Sequence, residues 1–247
     1  HTEKPWIYST DTPELVKHLA ETLPSHVEVR LGVGLVSYEI FPNEVFPVVA
    51  TYVYKGEKRR IAAKIIVGAD GSHSTVAKMN KNLSKNKHFL AGFEKVFYGD
   101  ILLGDHPDAT IYHVWFGEFS LGYGGWLSPT IINGKKSFRI GLAKLEKDVK
   151  DIKKLDEFIQ ILQSKNMIRI DGDSREPVVG FGHLIPIGGV LPSLHDAHSV
   201  LVGDAAGFCG AFAADGIKGA IVSGKVVAEL VPRHLAGDVS AFSEYRQ

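Results

Sequence analysis

The chain has a single cysteine, Cys209, which excludes an internal disulfide and any cysteine-built metal cage. It has no excess of charge: Lys plus Arg and Asp plus Glu both number 28. No long-range field therefore favours nucleic acid or an acidic surface as a partner. No apolar run reaches transmembrane length, because Lys218 and Lys225 interrupt the best candidate, and no signal-peptide pattern is present. This usage fits a reducing, cytoplasmic setting. The 11 histidines are scattered, with no i, i+4 pair beside a carboxylate of the kind a zinc site needs. No Gly-x-Ser-x-Gly elbow, internal repeat or low-complexity segment occurs. A Gly-x-Gly-x-x-Gly fingerprint is missing too. The nearest approach, Gly32-Val33-Gly34-Leu35-Val36-Ser37, ends on serine and runs into a strand rather than a helix, so it lacks the context that gives the motif meaning.

What remains is an ordinary globular composition, 45% hydrophobic and 23% charged over 247 residues, enough for one large or two modest domains. The first residue is His1 and a strand-like Trp6-Ile7-Tyr8 follows almost at once, from which we expect a sequence that starts inside a longer protein. Thr12 as N-cap and Pro13 at the first helical position predict a helix, with Leu15, Val16, Leu19, Ala20 and Leu23 on one face. Val27–Leu31 and Leu35–Phe41 read as strands. Phe46–Tyr54 and Arg59–Val67 read as a hairpin about Lys55-Gly56-Glu57.

Two turns stand out. Gly68-Ala69-Asp70-Gly71 follows a strand and precedes a helical run from Ser74 or Thr75. Val200-Leu201-Val202 is a buried-strand pattern that ends on Gly203-Asp204, and a helical pattern begins near Asp215. In that helix Ile217, Ala220, Ile221, Gly224, Val227 and Ala228 form a narrow face of small and apolar residues. A strand, a glycine turn and a helix start offer free N–H groups to an anion or polarised carbonyl. On the residues alone, each stretch reads equally as a plain turn before a packing helix.

Between the turns, Lys78–Lys87 is basic and polar and reads as an exposed loop. Tyr112–Phe116, Gly122–Leu127 and Ser137–Leu142 then read as strands. Asp151–Asn166 predicts a surface helix with Ile152, Leu155, Phe158, Ile159 and Leu162 inward. His183–Gly189 is extended, and Ser240–Gln247 begins a further helix.

Gly203-Asp204-Ala205-Ala206-Gly207 with Gly216-Ile217 resembles the second flavin motif of the FAD-dependent geranylgeranyl reductase and aromatic hydroxylase superfamily. Gly68-Ala69-Asp70-Gly71, with Ser74 and Val76, resembles that superfamily's other turn motif, and the two occur in the expected order. Tyr123-Gly124-Gly125-Trp126-Leu127-Ser128-Pro129 resembles the Tyr-x-Trp-x-Phe-Pro segment of geranylgeranyl reductases; Ser128 replaces the phenylalanine and one spacing differs. Flavin halogenases carry a related Trp-x-Ile-Pro segment.

The resemblance implies an α/β fold: a partial, Rossmann-like FAD-binding domain of residues 1–77 and 190–247, with a β-rich substrate domain, 78–189, inserted. It implies cofactor contacts at Asp70, Gly71, Gly203, Asp204, Ala205, Gly207, Gly216 and Ile217, and substrate contacts at Tyr123, Trp126 and Pro129. Trp126 and Tyr123 are expected to line one apolar cavity. No catalytic acid or base is assigned. The implied activity is reduction of isoprenoid double bonds, with aromatic monooxygenation or halogenation, or a domain that does not retain FAD, as alternatives. NAD(P)H or another reductant would supply electrons, the substrate would be small and apolar or isoprenoid, and a peripheral membrane contact stays open.

The sequence also departs from the family. Ala211 stands for its usual proline, Ala214 or Asp215 for its glycine, and Asp215 puts a carboxylate near the flavin N1 side. Without the N-terminal glycine loop that holds the ADP half of the cofactor, the chain is expected to be purified colourless. Its parallel sheet is expected to have an open edge that pairs with a missing segment or a second copy.

Overall fold

The computed structural model describes residues 11–104, 111–149, 151, 153–172, 176–210 and 215–246. The expected strand at Trp6–Tyr8, together with Ile152, Ala211 and Ala214, lies outside them. In chain order the elements are α1 (Thr12–Glu21), β1 (Val33–Ile40), β2 (Val48–Tyr54), β3 (Glu57–Ala63), β4 (Ile66–Gly68), α2 (Thr75–Met79), β5 (Phe89–Ile101) and β6 (His113–Trp115). They continue with β7 (Gly124–Ile132), β8 (Lys135–Leu145), α3 (Lys154–Ser164), β9 (Ile168–Ile170), β10 (Val179–Pro186), β11 (Ser199–Leu201) and α4 (Gly216–Leu235). The chain divides into two compact units, each formed from separated stretches.

The first unit holds Gly32–Ala91, Leu145–Lys147 and Leu184 onward. Its antiparallel sheet β1-β2-β3 contains the expected hairpin. The predicted strand Arg59–Val67 is in fact two. It breaks after Ala63, and β4 leaves to pair in parallel with β11, Leu201 opposite Gly68. The helix expected at the end of the chain is a 3-10 segment, Ala241–Arg246, whose Phe242 and Tyr245 are buried. Tyr245 donates to the Leu201 carbonyl at 2.8 Å, fixing this segment to β11.

Helix α4 turns a different face inward from the one its apolar residues suggest. Ser223, Val227 and Leu230 are buried, whereas Ile217 and Ile221 are exposed. The helix lies so close to the turn after β11 that a Cβ on Gly219 would stand 1.9 Å from the Phe208 carbonyl oxygen. Backbone clearance, not side-chain hydrophobicity, sets the rotation.

The segment Lys78–Lys87, expected to be an exposed loop, carries buried Asn80 and Leu83. Asn80 donates to Asp196 at 2.6 Å and to Ser199 at 2.8 Å, and the Ser199 hydroxyl donates to Asp196 at 2.6 Å. Burial alone would raise the Asp196 carboxyl. Hydrogen bonds from Ser199, Asn80, the His198 N–H and Asn82 outweigh it and hold the pKa below the ordinary aspartate value. A carboxyl depressed in the folded state adds stability that is complete above the unfolded pKa of about 4 and is lost as pH falls through the folded value. Urea midpoints of the native chain should therefore drop on acidification below that point, while Asp196→Asn should be less stable at neutral pH and flatter in acid. Parallel pH curves for the two proteins would remove Asp196 from the explanation.

The second unit holds residues 11–31, Gly92–Lys144 and Asp148–His183. Its sheet runs β10-β5-β8-β7-β6, with β9 paired to β5. The predicted strand at Val27–Leu31 is absent; this stretch has no regular structure and Leu31 is exposed. Helix α1 forms one residue away from its expected start, with Asp11 as cap and its carboxylate accepting from the Glu14 N–H, and no α1 residue is buried. Helix α3 buries Leu155, Phe158, Ile159 and Leu162, as the spacing predicts. These meet Leu127, Phe138, Ile140 and Leu142 in one apolar core. Odd positions of β7 pair with even positions of β8, so this face of the sheet alternates strictly with the other.

Candidate functional site

Strands β4 and β11 are parallel, so their C-terminal ends deliver the two motif turns to the same edge of the first unit. Asp70 faces its own helix: its carboxylate accepts from the Thr75 N–H at 2.6 Å and the Val76 N–H at 3.0 Å. It thereby satisfies donors at the start of α2, and Ser74 adds a cap to the Ala77 N–H. Gly71 makes the turn between them at φ +77°. This geometry gives Asp70 a positioning role within the turn.

In the second turn the Gly203 N–H donates to Ser223 Oγ at 2.9 Å, and Ser223 in turn donates to the Gly219 carbonyl at 2.7 Å. The turn is thus pinned to α4 by a buried hydroxyl. Ala205 is buried, and Gly207 closes the turn at φ +79°. A Cβ on Gly216 would stand 2.8 Å from Asp204 Oδ1, so the Asp204 carboxylate lies at the first residue of α4. Asp215 is the N-cap of α4 but its side chain makes no capping hydrogen bond; the carboxylate that stands at the helix start is that of Asp204. Ile217 is exposed at that end.

One residue bridges both turns, and sequence reasoning missed it. Asn86 donates to the Ser72 carbonyl at 3.1 Å and to the Asp204 carbonyl at 2.8 Å. Its buried Oδ1 has no hydrogen-bond partner among the described residues. Asn86 lies in the basic stretch read as solvent-exposed, where an asparagine among lysines gives no signal. The cavity beside it, lined by Ser72, Ser74, Lys85, Asn86 and Ala205 among others, holds only about 20 Å³, roughly one water. A flavin would therefore lie outside it, along the open edge. The edge offers the Asp204 carboxylate to the hydroxyls of such a group, while Asn86 fixes the two turns from behind.

Cys209 sits just past this turn. Burial, then the charges of Asp204 and Asp215, push its thiol up to about 12. In the native chain at mildly alkaline pH it should react with an aromatic disulfide reagent on the order of a thousandfold more slowly than in denaturant. Equal rates would show that the turn opens readily.

In the second unit the expected substrate trio separates. Tyr123 is buried in the core that includes α3, with Lys144 Nζ 4.8 Å from its ring centroid. Pro129, paired with Phe138, belongs to that same face. Trp126, paired with Gly141, lies on the opposite face. The expectation that Tyr123 and Trp126 line one cavity fails, because a separation of three residues along a strand puts two side chains on opposite faces. Trp126 donates through Nε1 to Glu94 at 2.8 Å. Glu94 also accepts from Arg139 Nε at 2.7 Å and is buried. The signal for this pair was a charged residue in the apolar strand Phe138-Arg139-Ile140. No group of three or more His, Cys, Asp or Glu suited to a metal occurs among the described residues, and no described helix is long and apolar enough to cross a membrane.

No protein-family model matches the chain. It is 26% identical over 188 residues to a digeranylgeranylglycerophospholipid reductase of Methanocella arvoryzae, a match covering 75% of this chain but only 45% of that protein. The chain thus spans less than half the length of this relative. Among solved structures, a geranylgeranyl bacteriochlorophyll reductase-like protein of Thermoplasma acidophilum aligns with a TM-score of 0.66 at 19% identity, over 87% of this chain and 52% of that one. A flavin-dependent brominase aligns with a TM-score of 0.71 at 17% identity, over 96% and 58% respectively. An aklavinone-11 hydroxylase, solved with FAD and aklavinone, aligns with a TM-score of 0.61 at 16% identity, over 84% and 38%. The chain thus shares the α/β fold of these three flavoprotein structures and is similar in sequence to the Methanocella reductase.

Proposed function

We propose that the chain forms the flavin-side part of an FAD-dependent oxidoreductase that reduces isoprenoid double bonds. One observation carries this reading: two parallel strand ends present the turns of Asp70 and Asp204 together, tied by Asn86, beside the α4 start. Asp204 would hold the ribityl hydroxyls, with Asn86 fixing the turn behind it, and the start of α4 would face a ring carbonyl. The flavin, when bound, supplies hydride transfer; the protein orients it and tunes its electronics. The reductase reading is supported by the curated relative. A halogenase or hydroxylase reading is supported by the brominase alignment, which has the higher TM-score but shows fold alone.

The outer edge of β4 is where we would seat a further strand, from a longer chain or a second copy. On the other side of β11, His195 bridges Val200 and the Leu201 N–H reaches the Leu194 carbonyl.

Titration of the purified chain with FAD, followed by quenching of flavin fluorescence, tests the assignment. Saturable binding is expected, and Asp204→Ala should weaken it by about 1–3 kcal/mol through loss of charge-assisted hydrogen bonds. Binding unchanged in that variant, or no saturable binding at any accessible concentration, would overturn the flavin site. Turnover of a geranylgeranyl lipid, compared with an aromatic halide acceptor, then separates reductase from halogenase.

A further inference from the structure

The sheet face opposite α3 carries a cluster that the flavin site does not use. Trp126 with Gly141, and Ser128 with Arg139, are paired across β7 and β8, and Val114 of β6 lies opposite Trp126. A Cβ on Gly141 would stand 2.0 Å from Trp126 Cζ2, so the bare glycine lets the indole lie flat across the strand. Glu94 accepts from the indole with one oxygen and from Arg139 with the other. Its side chain is 7% exposed, while that of Arg139 is 33% exposed. The carboxylate is therefore buried and satisfied, and the end of the pair that reaches solvent is the cation. Among the described residues, the two Nη groups of Arg139 meet no acceptor. A guanidinium braced along one edge presents its remaining donors in a fixed fork that matches phosphate or carboxylate.

The surroundings of that fork are apolar. Val114 is 50% exposed and Tyr112 49%. The Phe116 ring, also exposed, lies 3.4 Å from where a Gly124 Cβ would stand, which places it on this face. Although half of its surface is open, the rest of Tyr112 is enclosed, and that desolvation, then Glu94, raises its phenol while Arg139 lowers it. A guanidinium braced by a buried carboxylate and set in an exposed apolar strip is complementary to a molecule with a charged head and an oily chain. It suits neither a bare ion nor a neutral hydrocarbon.

We propose that Arg139, held in place by Glu94, binds the anionic headgroup of an amphiphilic substrate whose apolar chain runs along Trp126, Val114 and Tyr112. Glu94 is a positioning residue and Arg139 the headgroup residue. That the amphiphile is a substrate rests on the flavoprotein reading above; that it binds does not.

The test titrates the chain with dodecyl phosphate below its micelle concentration, with dodecanol and inorganic phosphate as parallel arms. Binding is read from the Trp126 indole N–H resonance, assigned with Trp126→Phe. Dodecyl phosphate should bind saturably and shift that resonance. Arg139→Met should weaken binding about tenfold or more, and Arg139→Lys should restore part of the loss. Dodecanol affinity should not change between the variants. No saturable binding, equal affinity in Arg139→Met, or inorganic phosphate binding as tightly as dodecyl phosphate would each overturn the proposal. Arg139→Met leaves Glu94 buried without its cation. If circular dichroism shows that this variant fails to fold, the double variant Glu94→Gln/Arg139→Met takes its place, and native affinity in the double variant would overturn the proposal. No flavin enters any arm, so the headgroup site and the flavin site stand or fall separately.

Discussion

Phe158→Ala should destabilise the second unit by about 3–5 kcal/mol, the range for deleting a fully buried phenylalanine ring. Phe158 is 0% exposed and is the point at which α3 meets the sheet. Its ring sits edge-on to Trp115 at 5.8 Å between centroids and to Phe119 at 6.1 Å. It also lies 3.1 Å from where a Gly125 Cβ would stand, so it presses directly on the β7 backbone. Deletion would leave a hole framed by rings and main chain, which cannot collapse as flexible aliphatic side chains do. Chemical denaturation followed by tryptophan fluorescence should show a lower midpoint. A loss below about 1 kcal/mol would mean that α3 is not a principal support of this sheet.

Gly207→Ala is the second large effect, and it acts on the first unit. The backbone at Gly207 is left-handed, and an added Cβ would stand 2.2 Å from the Gly189 carbonyl oxygen. Left-handed strain alone costs an alanine on the order of 1 kcal/mol. Overlap with a backbone atom, which cannot rotate away, should bring the total to about 2–4 kcal/mol or force the turn to open. Opening would carry Asp204 with it, because the Gly207 N–H is bonded to the Asp204 carbonyl at 3.1 Å. The variant should therefore lose stability and expose Cys209 to thiol reagents together. A stable variant with a protected Cys209 would show that the segment bearing Gly189 can move aside.

Much of this was legible in the sequence where one physical rule governed. The α3 stripe followed from helical spacing because that helix rests on a single apolar sheet face. The two turns before helices followed from strand–glycine–helix order. Reading failed where backbone clearance or strand parity decided. In α4 the inward residues include glycines, which carry no hydrophobic signal, so Ile217 and Ile221 pointed to the wrong face. Tyr123 and Trp126 looked like one motif, but a period of two separates them. Asn86 and Glu94 act across long stretches of chain, and no local pattern announces a side chain whose partners are distant.

The parallel pair β4–β11 joins two three-residue strands separated by more than a hundred residues of chain. Closing so long a loop in a disordered chain opposes pairing by on the order of 4 kcal/mol, more than six strand residues readily offset. The intervening chain lowers that barrier. It leaves the first unit along β5 and returns along β10, and those two strands are hydrogen-bonded neighbours. Once the inserted sheet has formed, the loop ends are already side by side and β4 and β11 need only a short search. Folding should therefore be sequential, with the inserted sheet first and the paired turns last. The edge that carries the paired turns is then the part of the chain that is slowest to form and the first to be lost.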